Sequence, residues 1–284
     1  SLGNCSRRCS RLPAPGAVYR PHPCGRTSCI HAVVARGPRL DPIGESYDAA
    51  HEPHPALSMP ALLHRHLDLL LLAAIGALLV ALPQIDIAIA GLFYNPFDGF
   101  YLRENPLVRL VFNGVPWITR SVIVGLVLFL LAAWTIWRRR EFFSRQRRAA
   151  LYLLLVMIIG PGLLVNTLFK DQWGRARPSQ VKEFGGSKQF TRAAIPADQC
   201  EKNCSFVSGH ASVGFFFLAF AFVWPRRRAL WLVTGTGLGL GIGLVRILQG
   251  GHFFSDVIFC GIVVYLTARV LHAMMFRPAT ESRV

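Results

Sequence analysis

The chain is short of charge, and shortest of negative charge. Only 16% of its 284 residues are charged, and 15 Asp and Glu stand against 31 Lys and Arg. With 52% hydrophobic residues beside so little charge, the bulk of the chain does not read as an ordinary soluble domain; it reads as a membrane protein. The scarcity of acids also argues against hard-cation sites built from clustered carboxylates, so neither a metal nor a cofactor is expected. A net charge of +16 would suit a nucleic-acid partner if it formed one stripe. Instead the arginines fall in short clusters between apolar runs, as they do in loops that orient helices in a bilayer, and no nucleic acid is expected.

Residues 1–58 lack any persistent apolar period, and they lack the continuous apolar core that a signal peptide requires. Arg, Pro, Gly, Ser and His dominate there, which predicts a mostly disordered extension that is dispensable for activity. Cys5, Cys9, Cys24 and Cys29 give a Cys-x3-Cys and a Cys-x4-Cys with no organised fold around them, a weak zinc signal. The expected division is therefore an N-terminal extension over 1–58, an integral-membrane domain over 59–276 and a short tail over 277–284.

From Leu62 onward the sequence becomes a series of apolar runs near the ~20 residues that a helix needs to cross hydrocarbon. Six are expected, at 62–83, 116–137, 149–169, 210–224, 229–246 and 254–274, giving an all-α six-helix transmembrane bundle with both termini on one side. Asp68 interrupts the start of the first, and the fourth is short. Two connections are intensely basic: Arg138, Arg139, Arg140, Arg145, Arg147 and Arg148 in one, Arg226, Arg227 and Arg228 in the other. The positive-inside rule places these in the cytoplasm and the loops 84–115, 170–209 and 247–253 outside. Cys200 and Cys204 lie in the long outer loop, where a disulfide would fit an oxidising space. Cys260, inside the last run, reads as a small apolar residue.

Three polar clusters interrupt this background, and the six-span reading puts all three at one membrane face. Lys170 to Pro178 follows the third run, Ser205 to His210 leads into the fourth, and Arg246 to Asp256 joins the fifth to the sixth. Lys170, Arg177 and Arg246 are cationic donors suited to phosphate oxygens, and Ser208 with the Gly209 amide adds neutral donors where a helix begins. Any one of these cations alone would read as an interfacial side chain reaching for headgroups. His252 and Asp256, four apart, can place a carboxylate beside an imidazole, fixing one ring nitrogen and leaving the other to attack phosphorus. His210 has no adjacent carboxylate and suits the proton donor to a leaving alkoxide. The cations would neutralise the transferred phosphoryl oxygens without a metal.

In these residues the chain resembles the type 2 phosphatidic acid phosphatase superfamily, whose fold is shared with vanadium haloperoxidases. The family pattern is Lys-x6-Arg-Pro, then Pro-Ser-Gly-His, then Ser-Arg-x5-His-x3-Asp. Lys170 to Pro178 matches the first element throughout; Val207 and Val245 stand where the second and third have proline and serine. The resemblance implies a membrane lipid phosphatase over about 59–275 with a compact helical bundle and an active site at the outer surface. It further implies His252 as nucleophile, Asp256 as its orienter, His210 as acid, and Lys170, Arg177, Ser208, Gly209 and Arg246 as phosphate ligands.

The substrate expected is a lipid phosphate, with lipid A leading and undecaprenyl diphosphate, phosphatidylglycerol phosphate and phosphatidic acid as alternatives. A diphosphate would make the reaction anhydride hydrolysis. A bacterial inner membrane with the site facing the periplasm is the expected location. A haloperoxidase fits poorly because the motifs lie between apolar spans. A lipid or anion transporter would explain the spans but gives no reason for His-x3-Asp beside a phosphate cradle. Oligomeric state is not legible, because lipid-facing and helix-facing apolar surfaces look alike.

Overall fold

The computed structural model describes residues 19–21, 30–32, 59–135 and 142–276. The chain divides into two units, Ser1–Ser58 and Met59–Val284. In the first, β1 (Tyr19–Pro21) and β2 (Ile30–Ala32) pair antiparallel, with Arg20 opposite His31. The four N-terminal cysteines, most of the expected extension, the Arg138–Arg140 cluster and the 277–284 tail lie outside the described residues.

The second unit is helical. Its elements are α1 (Met59–Ala81), α2 (Gln84–Gly91), α3 (Pro106–Thr135), α4 (Phe142–Met157), α5 (Gly209–Val223), α6 (Arg228–Leu248) and α7 (Phe254–Phe276). Past Met157, α4 continues through a π-helical stretch, Ile158–Phe169, and a last turn, Lys170–Gln172. Pro161 lies in that stretch, and its missing N–H and bulky ring disfavour regular α pairing there. The Asn166 amide donates to the Pro161 carbonyl at 2.7 Å.

Among the described residues four helices are long and apolar enough to cross a bilayer: α3, the extended α4 (Ser144–Gln172), α6 with its leading turn (Pro225–Leu248), and α7. A fifth arises if α1 and α2, bent by 80° at the Leu82–Pro83 break, are taken as one broken span. The count is thus four or five where six were expected. The difference lies mainly in α5, a 15-residue apolar helix with a 3-10 turn at Phe216–Ala219. It is short, and it is enclosed by the bundle rather than turned to one face: Ala211, Ser212, Val213, Gly214, Phe215, Phe216, Leu218 and Ala219 are all buried.

Small residues let α5 sit inside the bundle. A Cβ on Gly214 would lie 2.6 Å from the Gly239 nitrogen, one on Gly235 2.6 Å from the Leu218 nitrogen, and one on Gly243 2.2 Å from a Val257 methyl. The Gly235-x3-Gly239-x3-Gly243 stripe of α6 therefore permits backbone approaches that any side chain would block, the usual basis of close helix packing where solvent contributes no hydrophobic drive. Asp68, which interrupts the first apolar run, forms an ion pair with Arg269 of α7 and accepts from the Tyr265 hydroxyl.

Candidate active site

The three polar clusters meet at one end of the bundle. Lys170 sits on the last turn of α4, Ser208 and Gly209 at the start of α5, Arg246 on the last turn of α6, and His252 and Asp256 around the start of α7. Glycines make the convergence possible. A Cβ on Gly209 would lie 2.3 Å from the Asn166 Oδ1 and 3.3 Å from the Lys170 Nζ, and one on Gly251 2.3 Å from an Arg246 guanidinium nitrogen. Gly250 has φ +64°, and a side chain there would strike the Phe100 ring. The Gly250-Gly251 turn thus lets Arg246 fold back beside His252.

His252 is fully buried. Its Nδ1 lies 2.6 Å from the Ser205 carbonyl oxygen, an acceptor only, so Nδ1 carries the proton. Asp256 is near but not its direct partner: its Oδ2 is 3.8 Å from Nδ1. That oxygen accepts instead from the Ser205 hydroxyl at 2.5 Å and the Phe253 N–H at 2.8 Å. The other ring nitrogen, Nε2, is buried with no hydrogen-bond partner. Burial pushes the imidazole pKa down to about 3, against the pull of Asp256, so the ring is neutral at ordinary pH.

Nε2 of His252 is not alone in this. Ser208 Oγ, His210 Nε2 and Arg246 Nε are also buried without partners, and they too belong to the motif clusters. Buried polar atoms are normally satisfied, so a concentration of orphans marks a place made for a ligand. Phe112 of α3 bridges two members of the set, stacking on the His210 ring at 4.6 Å and lying 4.6 Å beneath the Arg246 guanidinium.

Arg177 and Lys170 meet on Asn203. Arg177 Nη2 donates to the Asn203 carbonyl at 2.7 Å and to its side-chain oxygen at 2.9 Å, and Lys170 Nζ donates to that side-chain oxygen at 3.0 Å. Asn203 lies between Cys200 and Cys204, which are joined by a disulfide, and its N–H donates to Asp171 at 3.1 Å. Burial pushes the Arg177 pKa below its ordinary value and Asp256 opposes this, while the nearby Arg103 adds to the depression.

Beneath these groups lies a polar layer that motif reasoning missed. Arg175, fully buried, donates to Asp86 at 2.7 Å, to Ser255 Oγ at 2.9 Å, to Asp256 at 2.5 Å and to the Thr191 carbonyl at 3.0 Å. Its guanidinium also lies 4.4 Å from the Phe253 ring centre. Burial disfavours its charge, but Asp256 and Asp86 hold its pKa above the ordinary value. The bend between α1 and α2 delivers Asp86, which also accepts the Ser255 N–H at 2.8 Å. Arg175 lies within the Lys170–Pro178 element, but nothing in its spacing separates it from Arg177. The residues with no sequence signal at all are Asp86, Asn203 and Phe112.

Two cavities are lined by residues of the site. One, of 340 Å³, is lined by Arg103, Glu104, Arg109, Arg177, Arg246 and Gly251 among others. The second, of 300 Å³, is lined by Lys170, Gly209 and His210 on one side and by apolar residues of α3 and α4 on the other, including Ile123, Met157 and Pro161. Among the described residues no group of three or more His, Cys, Asp and Glu side chains is arranged to hold a metal ion.

The family model described as PAP2 superfamily matches residues 149–279, which contain all three clusters. The chain is 40% identical over 205 residues to a lipid A 4′-phosphatase of Francisella tularensis subsp. novicida, covering 69% of this chain and 88% of the relative. It is 32% identical over 227 residues to a lipid A 4′-phosphatase of Rhizobium leguminosarum, covering 74% of this chain and 93% of the relative. A phosphatidylglycerophosphatase B of Escherichia coli is 25% identical over 245 residues, with 74% and 93% covered. No solved structure matches the chain.

Proposed function

Since the chain belongs to the PAP2 superfamily, we propose that it removes the 4′-phosphate of lipid A through a covalent phosphohistidine on His252. It is a multi-pass membrane phosphatase acting on phosphoric monoesters. The observation that carries the catalytic reading is the set of buried, unpartnered atoms His252 Nε2, His210 Nε2, Ser208 Oγ and Arg246 Nε, beside Lys170 and Arg177. The 4′ position comes from the lipid A 4′-phosphatases that are 32% to 40% identical over most of their length.

In the first step the lone pair of His252 Nε2 attacks phosphorus, and the N–P bond forms as the phosphorus–oxygen ester bond breaks. The proton held on Nδ1 stays against the Ser205 carbonyl, and the Asp256 carboxylate 3.8 Å away stabilises the positive charge that grows on the ring. Lys170, Arg177, Arg246, Ser208 Oγ and the Gly209 N–H take the non-bridging oxygens, where charge accumulates. His210 in its protonated form, favoured by a bound phosphate dianion, gives its Nε2 proton to the leaving alkoxide. In the second step His210 accepts a proton from water as water attacks phosphorus; the N–P bond breaks, releasing inorganic phosphate and restoring His252.

The proposed setting is the bacterial inner membrane with the site facing the periplasm. The Cys200–Cys204 disulfide in the site's own loop favours an oxidising compartment, and the basic turn Arg226–Arg228 lies at the opposite end of α6 from Arg246. Six crossings remain the proposed topology, with α5 crossing inside the bundle, where its buried surface needs no lipid contact.

The test is phosphate release by purified full-length protein in detergent from lipid A, phosphatidylglycerol phosphate, phosphatidic acid and undecaprenyl diphosphate, run beside His252→Ala. Loss of the 4′-phosphate from lipid A by wild type alone is the expected result. Preference for another lipid would overturn the substrate, and full activity of His252→Ala would overturn the nucleophile.

A further inference from the structure

The cavity lined by Phe112, Arg177 and Arg246 holds more cationic groups than the phosphate under attack requires. Of its four arginines, Arg177 and Arg246 belong to the cradle, whereas Arg103 and Arg109 lie outside all three motifs. Its 340 Å³ reaches the lower end of the roughly 300–1,000 Å³ of small-molecule sites, which leaves room for more of a headgroup than one phosphate.

The position of Arg103 is built. Phe100, three residues before it, is buried against Gly250 and within an aromatic cluster with Tyr94 and Phe184. The Arg103 N–H donates to the Phe100 carbonyl at 2.9 Å, closing the turn. Asn105 then starts α3, its side-chain oxygen accepting the Leu107 N–H at 3.0 Å. Arg103 is thereby tied to the same Gly250-Gly251 turn that sets Arg246 and His252. Arg109 is 3.1 Å from Glu104, an exposed pair worth little by itself. No carboxylate among the described residues pairs with Arg103, so an unneutralised cation faces the cavity beside two others.

We propose that Arg103, with Arg109 in support, forms a second anion subsite that binds another phosphate or carboxylate of the same lipid headgroup while the cradle holds the one being cleaved. This rests on the lipid A reading above and deepens it. Relatives include lipid A 1-phosphatases as well as 4′-phosphatases, so the lipid they share is named with phosphate at two positions. The subsite would select doubly anionic headgroups by affinity, without a part in bond breaking. Glu104 would act against it, by holding Arg109 and by repelling the incoming anion.

The experiment compares wild type, Arg103→Ala, Arg103→Lys and Glu104→Gln as full chains in detergent, with two forms of lipid A, one phosphorylated at both positions and one at the 4′ position only. Wild type is expected to show a KM about tenfold lower for the doubly phosphorylated form, the size of one charge-assisted contact. Arg103→Ala should remove that advantage while leaving kcat within about twofold, Arg103→Lys should keep part of it, and Glu104→Gln should enlarge it. Raised salt should shrink it. Equal KM values for the two forms in wild type, or an equal effect of Arg103→Ala on both, would overturn the subsite and leave the phosphatase reading standing. If wild type releases phosphate from neither form, the lipid A reading fails and the subsite falls with it.

Discussion

The Nδ1 of His252 is held at 2.6 Å by the main-chain carbonyl of Ser205, while the Asp256 carboxylate stands back at 3.8 Å. A main-chain acceptor fixes the ring tautomer whatever happens to the carboxylate. Asp256 then acts on the imidazole mainly through its field and by bracing the Ser205 hydroxyl and the Phe253 N–H.

A graded response to substitution follows. His252→Ala should abolish turnover. Asp256→Asn should keep the tautomer but lose the charge that stabilises the imidazolium, lowering kcat by roughly 10²-fold or more with little change in KM. Ser205→Ala, which leaves the carbonyl in place, should fall between this variant and wild type. Steady-state kinetics on one lipid check the order, and a kcat for Ser205→Ala below that of Asp256→Asn would contradict it.

Asn203 carries the second prediction. Its side-chain oxygen accepts from both Lys170 and Arg177, the two cations that the loop side of the cradle presents to phosphate. Asn203→Ala should loosen both and raise KM several-fold. Asn203→Asp should do worse, because a carboxylate in that position competes with the substrate's own oxygens for the same donors. Reduction of the Cys200–Cys204 disulfide, which closes the loop around Asn203, should move KM in the same direction as Asn203→Ala. A lower KM for Asn203→Asp would show that the two cations are not substrate ligands.

The difference between Arg177 and Arg175 shows how far the sequence could be read. Motif spacing picked out Lys170, Arg177, Arg246, His210, His252 and Asp256, since the chemistry demands those groups, and the fold gathers them at one end of the bundle. Arg175, two residues before Arg177, turns inward, and only the bend after α1 that brings Asp86 beneath it shows why. Phe112 and Asn203 escaped for a similar reason: one is an aromatic in an apolar helix and the other a polar residue in a loop, and neither environment is unusual until α3 and the disulfide loop are docked. Membrane-spanning segments are legible where a helix is long and apolar; α5 is short and enclosed by other helices, and that enclosure is not carried by composition.

Arg175 supports the third prediction. It neutralises two buried carboxylates at once, and removing it leaves Asp86 and Asp256 facing each other without a cation. Breaking such a buried pair from one side typically costs about 3–5 kcal/mol. Arg175→Leu should therefore lower thermal stability in detergent far more than Arg177→Leu, which removes a half-buried cation from the mouth of the site. Arg175→Leu combined with Asp86→Leu should recover part of the loss. If Arg177→Leu proves the more damaging to stability, Arg175 is not the keystone of the polar layer.

The fourth prediction concerns pH. Burial holds the His252 pKa at about 3 in the folded protein, against an ordinary value of 6.5. Between those values the unfolded chain binds a proton at this position that the folded chain does not, so stability rises with pH there. His252 therefore contributes its full share above pH 6.5 and loses it progressively as pH falls toward 3, at up to about 1.4 kcal/mol per pH unit. Thermal unfolding in detergent followed from pH 7 to pH 4 should show a decline in wild type that is shallower in His252→Gln, which has no proton to gain. Over the same range the nucleophile of the free enzyme stays neutral, so His252 should impose no acid limb on kcat/KM above pH 5. A decline equally steep in both proteins would mean that His252 is not kept neutral by burial, and the neutral nucleophile would then have to be abandoned.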